Sequence, residues 1–312
     1  MYEIKRVYLI GLGAIGASFA YYLLKDQECE FKVIAEGTRK KRLEAGGIII
    51  NDEHFDLDVI DPAQTGVPAD LIIIAVKEYS LDEAIRQIGN FVGPQTQILS
   101  VLNGVDSEER VAAVYGWQHV LYSYMRLSGS YKDGVAHFYT SGRMFFGEAV
   151  NTPGAYSPRV QAIQALCDRT GILAEVEEDM KRGIWYKFAC NIGENLPCAI
   201  LNVPCVLFVR SQEADDLRIA AMRETFAVAN RLGIDLGEKE IEEHNAVVRS
   251  FAPESTPSTL QDLRCGRRTE VDMFAGRLVE LGRQVGVPTP IAQMFLWCIH
   301  ILEEKNEGVF EL

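Results

Sequence analysis

Hydrophobic and polar positions alternate in blocks through the first 120 residues, where short aliphatic runs are each followed by a stretch with amphipathic helical spacing. Uninterrupted β-branched runs are typical of strands buried on both faces, and strands separated by helices predict right-handed parallel crossovers. The strand and helix pairs are Val7–Leu12 with Ala14–Leu24, Phe31–Ala35 with Arg39–Ala45, Leu71–Val76 with Leu81–Ile88, and Gln97–Leu102 with Val111–Tyr115. This half of the chain therefore predicts a doubly wound α/β sheet.

The pattern changes near residue 118, where aromatic and polar residues begin to alternate up to residue 150. Gly134, Gly142 and Gly147 punctuate this stretch. Alternation with glycine turns is typical of antiparallel strands. We expect a hairpin here that extends the edge of the sheet.

After Asp179 the strand pattern ends and helical periodicity takes over. Predicted helices cover 180–200, 211–232, 260–285 and 289–305, with a turn-rich link at Ala252–Pro257. The sequence thus predicts a sheet domain at 1–178 and an all-α domain at 179–312. A cleft between two such domains is the usual place for a binding site.

Composition agrees with two globular domains, since 312 residues exceed the size at which single cores usually stop growing, about 250 residues. With 31 Lys and Arg against 44 Asp and Glu, the formal net charge is −13, which disfavours nucleic acid and acidic membranes as partners. The chain has seven Cys without a Cys-x-x-Cys pair, and it contains no apolar run of about 20 residues. We expect a cytoplasmic protein without a structural metal, disulfide framework or membrane span.

A glycine-rich turn follows the first predicted strand directly and opens the first helix. Its sequence is Gly11-Leu12-Gly13-Ala14-Ile15-Gly16. Gly11 permits a tight turn, Gly13 allows a pyrophosphate to approach the backbone, and Gly16 allows close packing of helix on strand. The helix N-terminus also offers unpaired N–H donors to phosphate. This context predicts dinucleotide binding, whereas a lone match in a loop is usually only a turn.

Two neighbouring features give opposite indications about the ribose of that dinucleotide. Glu36 ends the second strand, where a carboxylate bonds a free 2′-hydroxyl and repels a 2′-phosphate, which favours NAD. Arg39 begins the run Arg39-Lys40-Lys41-Arg42, which suits a phosphate and favours NADP, or forms a solvated helix face. The sequence therefore does not decide between NAD and NADP as the cofactor.

Polar residues also follow two later strands. Lys77 ends the run Leu71–Val76, and Asn103 with Gly104 follows Ile98–Leu102. Open α/β sheets bind ligands at the carboxyl ends of their strands. We expect Lys77 and Asn103 to contact cofactor or substrate, although either could be a simple turn residue.

The first helix of the second domain carries Lys187, Asn191 and Asn195 at spacing i, i+4 and i+8, so the three share one face. Their neighbours are aromatic and apolar, which predicts a buried or cleft-facing stripe. A lysine that loses hydration has a lowered pKa and donates a proton more readily near neutral pH. The alternative is a lysine whose ammonium group extends to solvent.

Two polar clusters occur later in the helical half. Ser258 with Gln261 has the spacing of a capping box, and Glu270 after Thr269 fits the first turn of the next helix. These residues admit a structural and a functional interpretation equally.

Taken in order, these motifs resemble those of the ketopantoate reductase family (2-dehydropantoate 2-reductases), over nearly the whole chain. The shared points are Gly11–Gly16, Lys77, Asn103-Gly104, the Gly134, Gly142 and Gly147-Glu148 region, Trp185-Tyr186-Lys187 with Asn191 and Asn195, Ser258–Asp262, Arg267–Asp272 and Val287-Pro288-Thr289-Pro290. The resemblance implies a Rossmann-type domain followed by a helical domain. It also implies NADPH-dependent reduction of a small 2-oxo acid, ketopantoate to pantoate in pantothenate biosynthesis.

By the same resemblance, Lys187 is the general acid, and Glu270 binds the substrate hydroxyl and orients Lys187. Ser258 holds the carboxylate, and Asn103, Asn191 and Asn195 position substrate and nicotinamide.

The chain departs from the family pattern at several positions. Glu36 stands near a common Arg, Leu102 replaces Gln, and Leu196 replaces Pro, while Cys205 and Ser255 align with asparagines that contact substrate. Three alternatives therefore stay open. The protein reduces a different 2-oxo acid, it uses NAD(H), or it is a non-catalytic regulator that binds NADP(H). Two interpretations of the apolar helix Ile291–Leu302 are likewise open: it packs inside its own domain, or it pairs with another subunit in a homodimer.

Overall fold

The computed structural model describes residues 3–310. The chain divides into two compact units, Met1–Met180 and Lys181–Leu312. Within residues 3–310, the first unit contains the strands together with five α-helices and two short 3-10 helices, and the second unit is helical.

Parallel strands dominate the first unit. In chain order the strands are β1 (Arg6–Ile10), β2 (Glu30–Ile34), β3 (Ile48–Ile50), β4 (Glu53–Phe55), β5 (Val59–Ile60), β6 (Leu71–Ile74), β7 (Gln97–Ser100), β8 (Val120–Arg126), β9 (Gly129–Lys132), β10 (Val135–Phe138), β11 (Arg143–Gly147) and β12 (Ala174–Glu175). The main sheet has eight strands in the order β12-β11-β8-β7-β6-β1-β2-β5. Within it β5, β2, β1, β6, β7 and β8 run parallel, which is the doubly wound order that binds dinucleotides where strand order reverses.

Alternate residues of the central strands enter two different cores, which is why these strands are mainly apolar. In β1, Val7 and Leu9 belong to one core, whereas Tyr8 and Ile10 belong to the other. The helices that cover the faces are α1 (Ala14–Leu23), α2 (Gly37–Gly46), α3 (Leu81–Gln87), α4 (Ser107–Tyr115) and α5 (Pro158–Thr170). The predicted α/β fold class is thereby confirmed.

The expected edge hairpin is partly wrong. Strand β8 joins the main sheet in parallel with β7, and β11 pairs antiparallel to β8. Strands β9 and β10 instead form a separate four-stranded sheet in the order β4-β3-β10-β9. The pairing of β10 with the distant β3 depends on tertiary contacts, so the local alternation of aromatic and polar residues does not predict it.

The second unit is built from helices joined by short turns. They are α6 (Met180–Leu201), α7 (Leu207–Arg210), α8 (Gln212–Arg231), α9 (Glu238–Arg249), α10 (Ser258–Arg264), α11 (Arg277–Val285) and α12 (Pro290–Asn306). None of the helices within residues 3–310 is both long and apolar enough to cross a membrane.

Two local predictions in this unit are wrong. The single helix expected over 260–285 is interrupted, because Gly266 adopts φ +62° after α10 and a π-helical segment at Asp272–Gly276 precedes α11. The expected capping box is also absent: Pro257 occupies the cap position of α10, and Gln261 Nε2 donates to the Thr256 carbonyl at 2.7 Å. Ser258 is consequently the first helical residue.

Candidate functional site

The glycine-rich turn connects β1 to α1 under tight steric limits. Gly11 has φ +95°, and a Cβ there would lie 2.5 Å from the carbonyl carbon and oxygen of Ala75. A Cβ on Gly16 would lie 2.0 Å from the Gly11 carbonyl oxygen. Both positions therefore require glycine for packing of the turn.

Gly13 differs, because a Cβ added there would meet no atom within 4 Å. Gly13 is also the N-cap residue of α1, and no side chain caps this helix. The first N–H groups of a helix lack intrahelical partners and carry its positive dipole end. The turn thus presents open space and N–H donors together, an arrangement that fits a pyrophosphate.

Three of the predicted site residues lie at equivalent places along neighbouring strands. Ile10 pairs with Ile74 in β6, and Ile74 pairs with Ser100 in β7. Gly13, Lys77 and Asn103 each follow these aligned residues by three positions. The structure therefore brings together the glycine turn, Lys77 and Asn103 where the carboxyl ends of β1, β6 and β7 meet. Lys77 and Asn103 are both partly buried.

Glu36 lies after β2 at the same edge and is the cap residue of α2. Its side chain is exposed, and its Oε1 accepts a hydrogen bond from Gln87 Nε2 of α3 at 2.9 Å. Arg39 is exposed in the first turn of α2. Both residues thus stand next to the place where an adenosine ribose binds in this fold.

Beneath the turn that contains Asn103 lies a buried polar network that sequence reasoning missed. Ser100 Oγ donates to Ser107 Oγ at 2.8 Å, and Ser107 Oγ lies 2.9 Å from Glu108 Oε2. The other oxygen, Glu108 Oε1, accepts from the Ser123 N–H at 3.2 Å. Burial raises the pKa of Glu108 to about 8, so its carboxyl group keeps a proton at neutral pH. The network ties β7 and β8 to α4.

In the second unit, Lys187, Asn191 and Asn195 follow one face of α6, as expected from their spacing, and each is partly buried. Asn191 Nδ2 is shielded from solvent and has no hydrogen-bond partner among residues 3–310. Buried amide donors are nearly always paired, so this group indicates a ligand acceptor.

Glu270 is buried just before the helical segment that begins at Val271, and its carbonyl accepts the Phe274 N–H at 3.1 Å. Phe274 packs against Phe188 of α6, with ring centroids 6.1 Å apart. The segment that follows Glu270 therefore packs against α6 at Phe188, the residue after Lys187. Ser258 differs from these groups, since it is exposed at the start of α10.

A second buried polar group on α6 also escaped sequence reasoning. Tyr186, Cys190 and Glu194 all contact His244 of α9. The spacing i, i+4 and i+8 along α6 was a visible signal, but the partner helix α9 was not predicted.

In the part of the chain that the structure describes, no group of three His, Cys, Asp or Glu side chains is placed to bind a metal ion. The seven Cys are free thiols.

The first unit is a doubly wound sheet with an open glycine turn, and the second is a helical unit that carries a lysine and two asparagines on one face. Two family models match, "Ketopantoate reductase PanE/ApbA" over residues 7–151 and "Ketopantoate reductase PanE/ApbA C terminal" over residues 179–303. The chain belongs to the ketopantoate reductase family, and it is an oxidoreductase.

Individual relatives are distant. A 2-dehydropantoate 2-reductase of Streptococcus pyogenes serotype M1 is 24% identical over 305 residues, which cover 95% of this chain and 97% of that protein. D-mandelate dehydrogenase, solved with NADH and anilino(oxo)acetate, shares the fold with a TM-score of 0.85 at 21% identity, over 97% of this chain and 99% of that one. A dimeric ketopantoate reductase from Staphylococcus aureus has a TM-score of 0.81 at 19% identity, over 96% and 99% of the two chains.

Proposed function

We propose that this protein reduces a 2-oxo acid to the corresponding 2-hydroxy acid with a nicotinamide dinucleotide, most simply ketopantoate to pantoate with NADPH. Support comes from the family membership and from one observation above all. Lys187 shares a face of α6 with Asn191, whose Nδ2 is buried without a partner among the described residues. Lys187 can donate a proton to a substrate carbonyl, and the unpaired Asn191 amide can donate a hydrogen bond to a substrate oxygen. This pair suits a substrate that has both a carbonyl and a carboxylate.

The proposed dinucleotide site uses Gly11–Gly16, Glu36, Arg39, Lys77 and Asn103. Gly13 leaves space for the pyrophosphate, and the N–H groups that open α1 bind it. When bound, the reduced nicotinamide supplies a hydride.

In the proposed mechanism, Lys187 donates a proton to the carbonyl oxygen while the carbonyl carbon accepts that hydride, so the 2-oxo acid becomes a 2-hydroxy acid. Asn191 and Asn195 hold the substrate oxygens, and Ser258 binds the carboxylate. Glu270 accepts a hydrogen bond from a substrate hydroxyl and orients the Lys187 ammonium group. An ammonium group beside developing alkoxide charge in a water-poor site is worth about 10²-fold or more in rate.

A different 2-oxo acid with NADH is the second candidate, and Glu36 favours it. A carboxylate at this position disfavours the 2′-phosphate of NADPH. The fold is also that of a dehydrogenase solved with NADH.

A substrate panel decides between the candidates. Purified protein is assayed with NADPH and with NADH against ketopantoate, the aromatic 2-oxo acid that corresponds to mandelate, and short aliphatic 2-oxo acids. The highest kcat/KM for ketopantoate with NADPH supports the first candidate. Higher kcat/KM for another acid supports the second, and tight NADPH binding without turnover of any acid supports a regulator.

Ketopantoate as the substrate would place the reaction in pantothenate biosynthesis, in the cytoplasm. We also propose a homodimer paired through α12. Met294, Trp297 and Ile301 form an apolar stripe on this helix, and the Trp297 side chain is 61% exposed. Exposed apolar stripes of this kind are typical of subunit contacts, and one structural relative is dimeric.

A further inference from the structure

A chain of buried hydrogen bonds joins α6 to α9. Tyr186 Oη lies 3.0 Å from His244 Nδ1, and Cys190 Sγ lies 3.7 Å from the same nitrogen. On the other side of the ring, His244 Nε2 contacts Glu194 Oε1. His244 and Glu194 are only 6% and 8% exposed, so their mutual contact is shielded from water.

The two ring nitrogens of His244 face different partners. A carboxylate only accepts hydrogen bonds, so in the contact with ionised Glu194 the donor is His244 Nε2. Nδ1 of the same ring faces the Tyr186 hydroxyl and the Cys190 thiol. One imidazole thereby connects two side chains of α6 that are eight residues apart, which corresponds to about 12 Å along the helix axis.

Two other contacts hold α6 on its remaining sides. At Gly193 the helix lies so close to α8 that a Cβ would come within 3.0 Å of the Arg218 carbonyl oxygen. Phe188 packs against Phe274 on another side. Successive helix positions differ by about 100° around the axis, so the face of Lys187 lies between the His244 contact and the Phe188 contact.

We propose that His244 and Glu194 are positioning residues that fix the rotation of α6 and so aim Lys187, Asn191 and Asn195 at the substrate; this inference rests on the proposed function. A rotation of about 10° moves an atom that lies about 8 Å from the helix axis by about 1.4 Å. A misplacement of about 1 Å at a reacting group costs about 10²-fold in rate. The buried His244 contact therefore controls catalysis without touching the substrate.

His244→Gln tests this role through kcat and cofactor affinity together. We expect kcat per folded molecule to fall about 10- to 100-fold, while the dissociation constant of the dinucleotide changes less than about twofold, since the glycine turn is untouched. A matched control is Glu243→Gln, which removes an exposed charge from α9 beside His244. The control is expected to keep the wild-type kcat.

Glu194 offers a conservative rescue. Glu194→Gln retains an oxygen that accepts the His244 N–H, so its kcat should remain within about threefold of wild type, whereas Glu194→Leu should lose as much as His244→Gln. Equal losses in both Glu194 variants would show that the hydrogen bond is irrelevant and would overturn the proposal.

Chemical labelling of amines supplies a readout that does not depend on turnover. In the cofactor-free protein, His244→Gln should increase the reductive methylation rate of Lys187 about threefold or more, because local loosening of α6 exposes the amine. Lys181, which is exposed on the same helix, is the internal standard. Unchanged reactivity of Lys187 would contradict the positioning role.

Tyr186→Phe keeps the ring and removes one hydroxyl, so it supplies the same two readouts if His244→Gln does not fold. We expect a loss of about two- to fivefold in kcat and faster labelling of Lys187. If wild-type protein reduces no 2-oxo acid, the proposed function fails, and labelling alone then decides whether His244 holds Lys187.

Discussion

Gln87 Nε2 donates a hydrogen bond to Glu36 Oε1 at 2.9 Å, so a residue of α3 holds the carboxylate at the N-cap of α2, just after β2. This contact keeps negative charge at the place where the ribose of a dinucleotide binds in doubly wound sheets.

Glu36→Ala should improve NADPH affinity relative to NADH, because the repulsion between carboxylate and 2′-phosphate disappears. We expect the ratio of the two dissociation constants to shift toward NADPH about tenfold, a size typical of one charge contact in a partly exposed site. Fluorescence titration with both dinucleotides measures the ratio, and Glu44→Ala on the exposed end of α2 is the control. An unchanged ratio would remove Glu36 from the ribose site.

Gly13→Ala should separate cofactor binding from folding. The backbone at Gly13 has φ −92°, which alanine adopts without strain, and its Cβ would meet no protein atom within 4 Å. We expect a change in unfolding free energy within about 0.5 kcal/mol but at least about tenfold weaker dinucleotide binding, because the methyl group occupies the phosphate space.

Gly11→Ala is the contrasting variant, since the new Cβ would clash with Ala75 and φ is +95°. It should lower stability by more than 1 kcal/mol, as positive φ and a backbone clash both oppose it. Undiminished dinucleotide binding by Gly13→Ala would show that phosphate does not occupy this turn.

Glu108 should make stability depend on pH. Its folded pKa, about 8, exceeds the unfolded value of 4.5, so above pH 4.5 the unfolded chain releases a proton that the folded chain retains. Stability from this group is therefore lost as pH rises from about 4.5 to about 8, and the loss is complete above that range.

Urea unfolding at pH 5, 7 and 9 measures this effect. Glu108→Gln should gain stability relative to wild type as pH rises, while the exposed neighbour variant Glu109→Gln follows wild type. Parallel pH profiles for wild type and Glu108→Gln would contradict a protonated Glu108.

The apolar stripe of α12 predicts a homodimer, and one charge placed in the stripe should dissociate it into monomers. Trp297→Glu places a carboxylate on the exposed centre of the stripe, and we expect it to convert the dimer to monomer at micromolar concentration. Light scattering coupled to gel filtration measures the mass. A monomeric wild type, or a Trp297→Glu variant that stays dimeric, would rule out this interface.

Much of the fold could be predicted because buried strands leave a strong local signal. Leu71–Ile74 is wholly apolar since both faces are covered, and the chain around Gly11 needs glycine for steric reasons visible in the spacing. Helix α9 could not be predicted in the same way. Its inward positions include Glu240 and His244, so polar residues stand where the helical pattern requires apolar ones.

The hydrogen bond between His244 and Glu194 joins residues that are 50 positions apart. Glu108 accepts the N–H of Ser123, which belongs to β8 and is 15 positions away. Such contacts depend on the assembled fold rather than on local spacing. For the same reason the sequence predicted the shared helix face of Lys187 and Asn191 but not the contacts of that helix with His244.

The steady-state turnover of Lys187→Ala with the preferred 2-oxo acid tests the central proposal most directly. Removal of the proton donor should lower kcat by about 10²-fold or more, with little change in dinucleotide affinity, whereas Lys181→Ala on the same helix should behave as wild type. Undiminished turnover by Lys187→Ala would contradict the proposed mechanism.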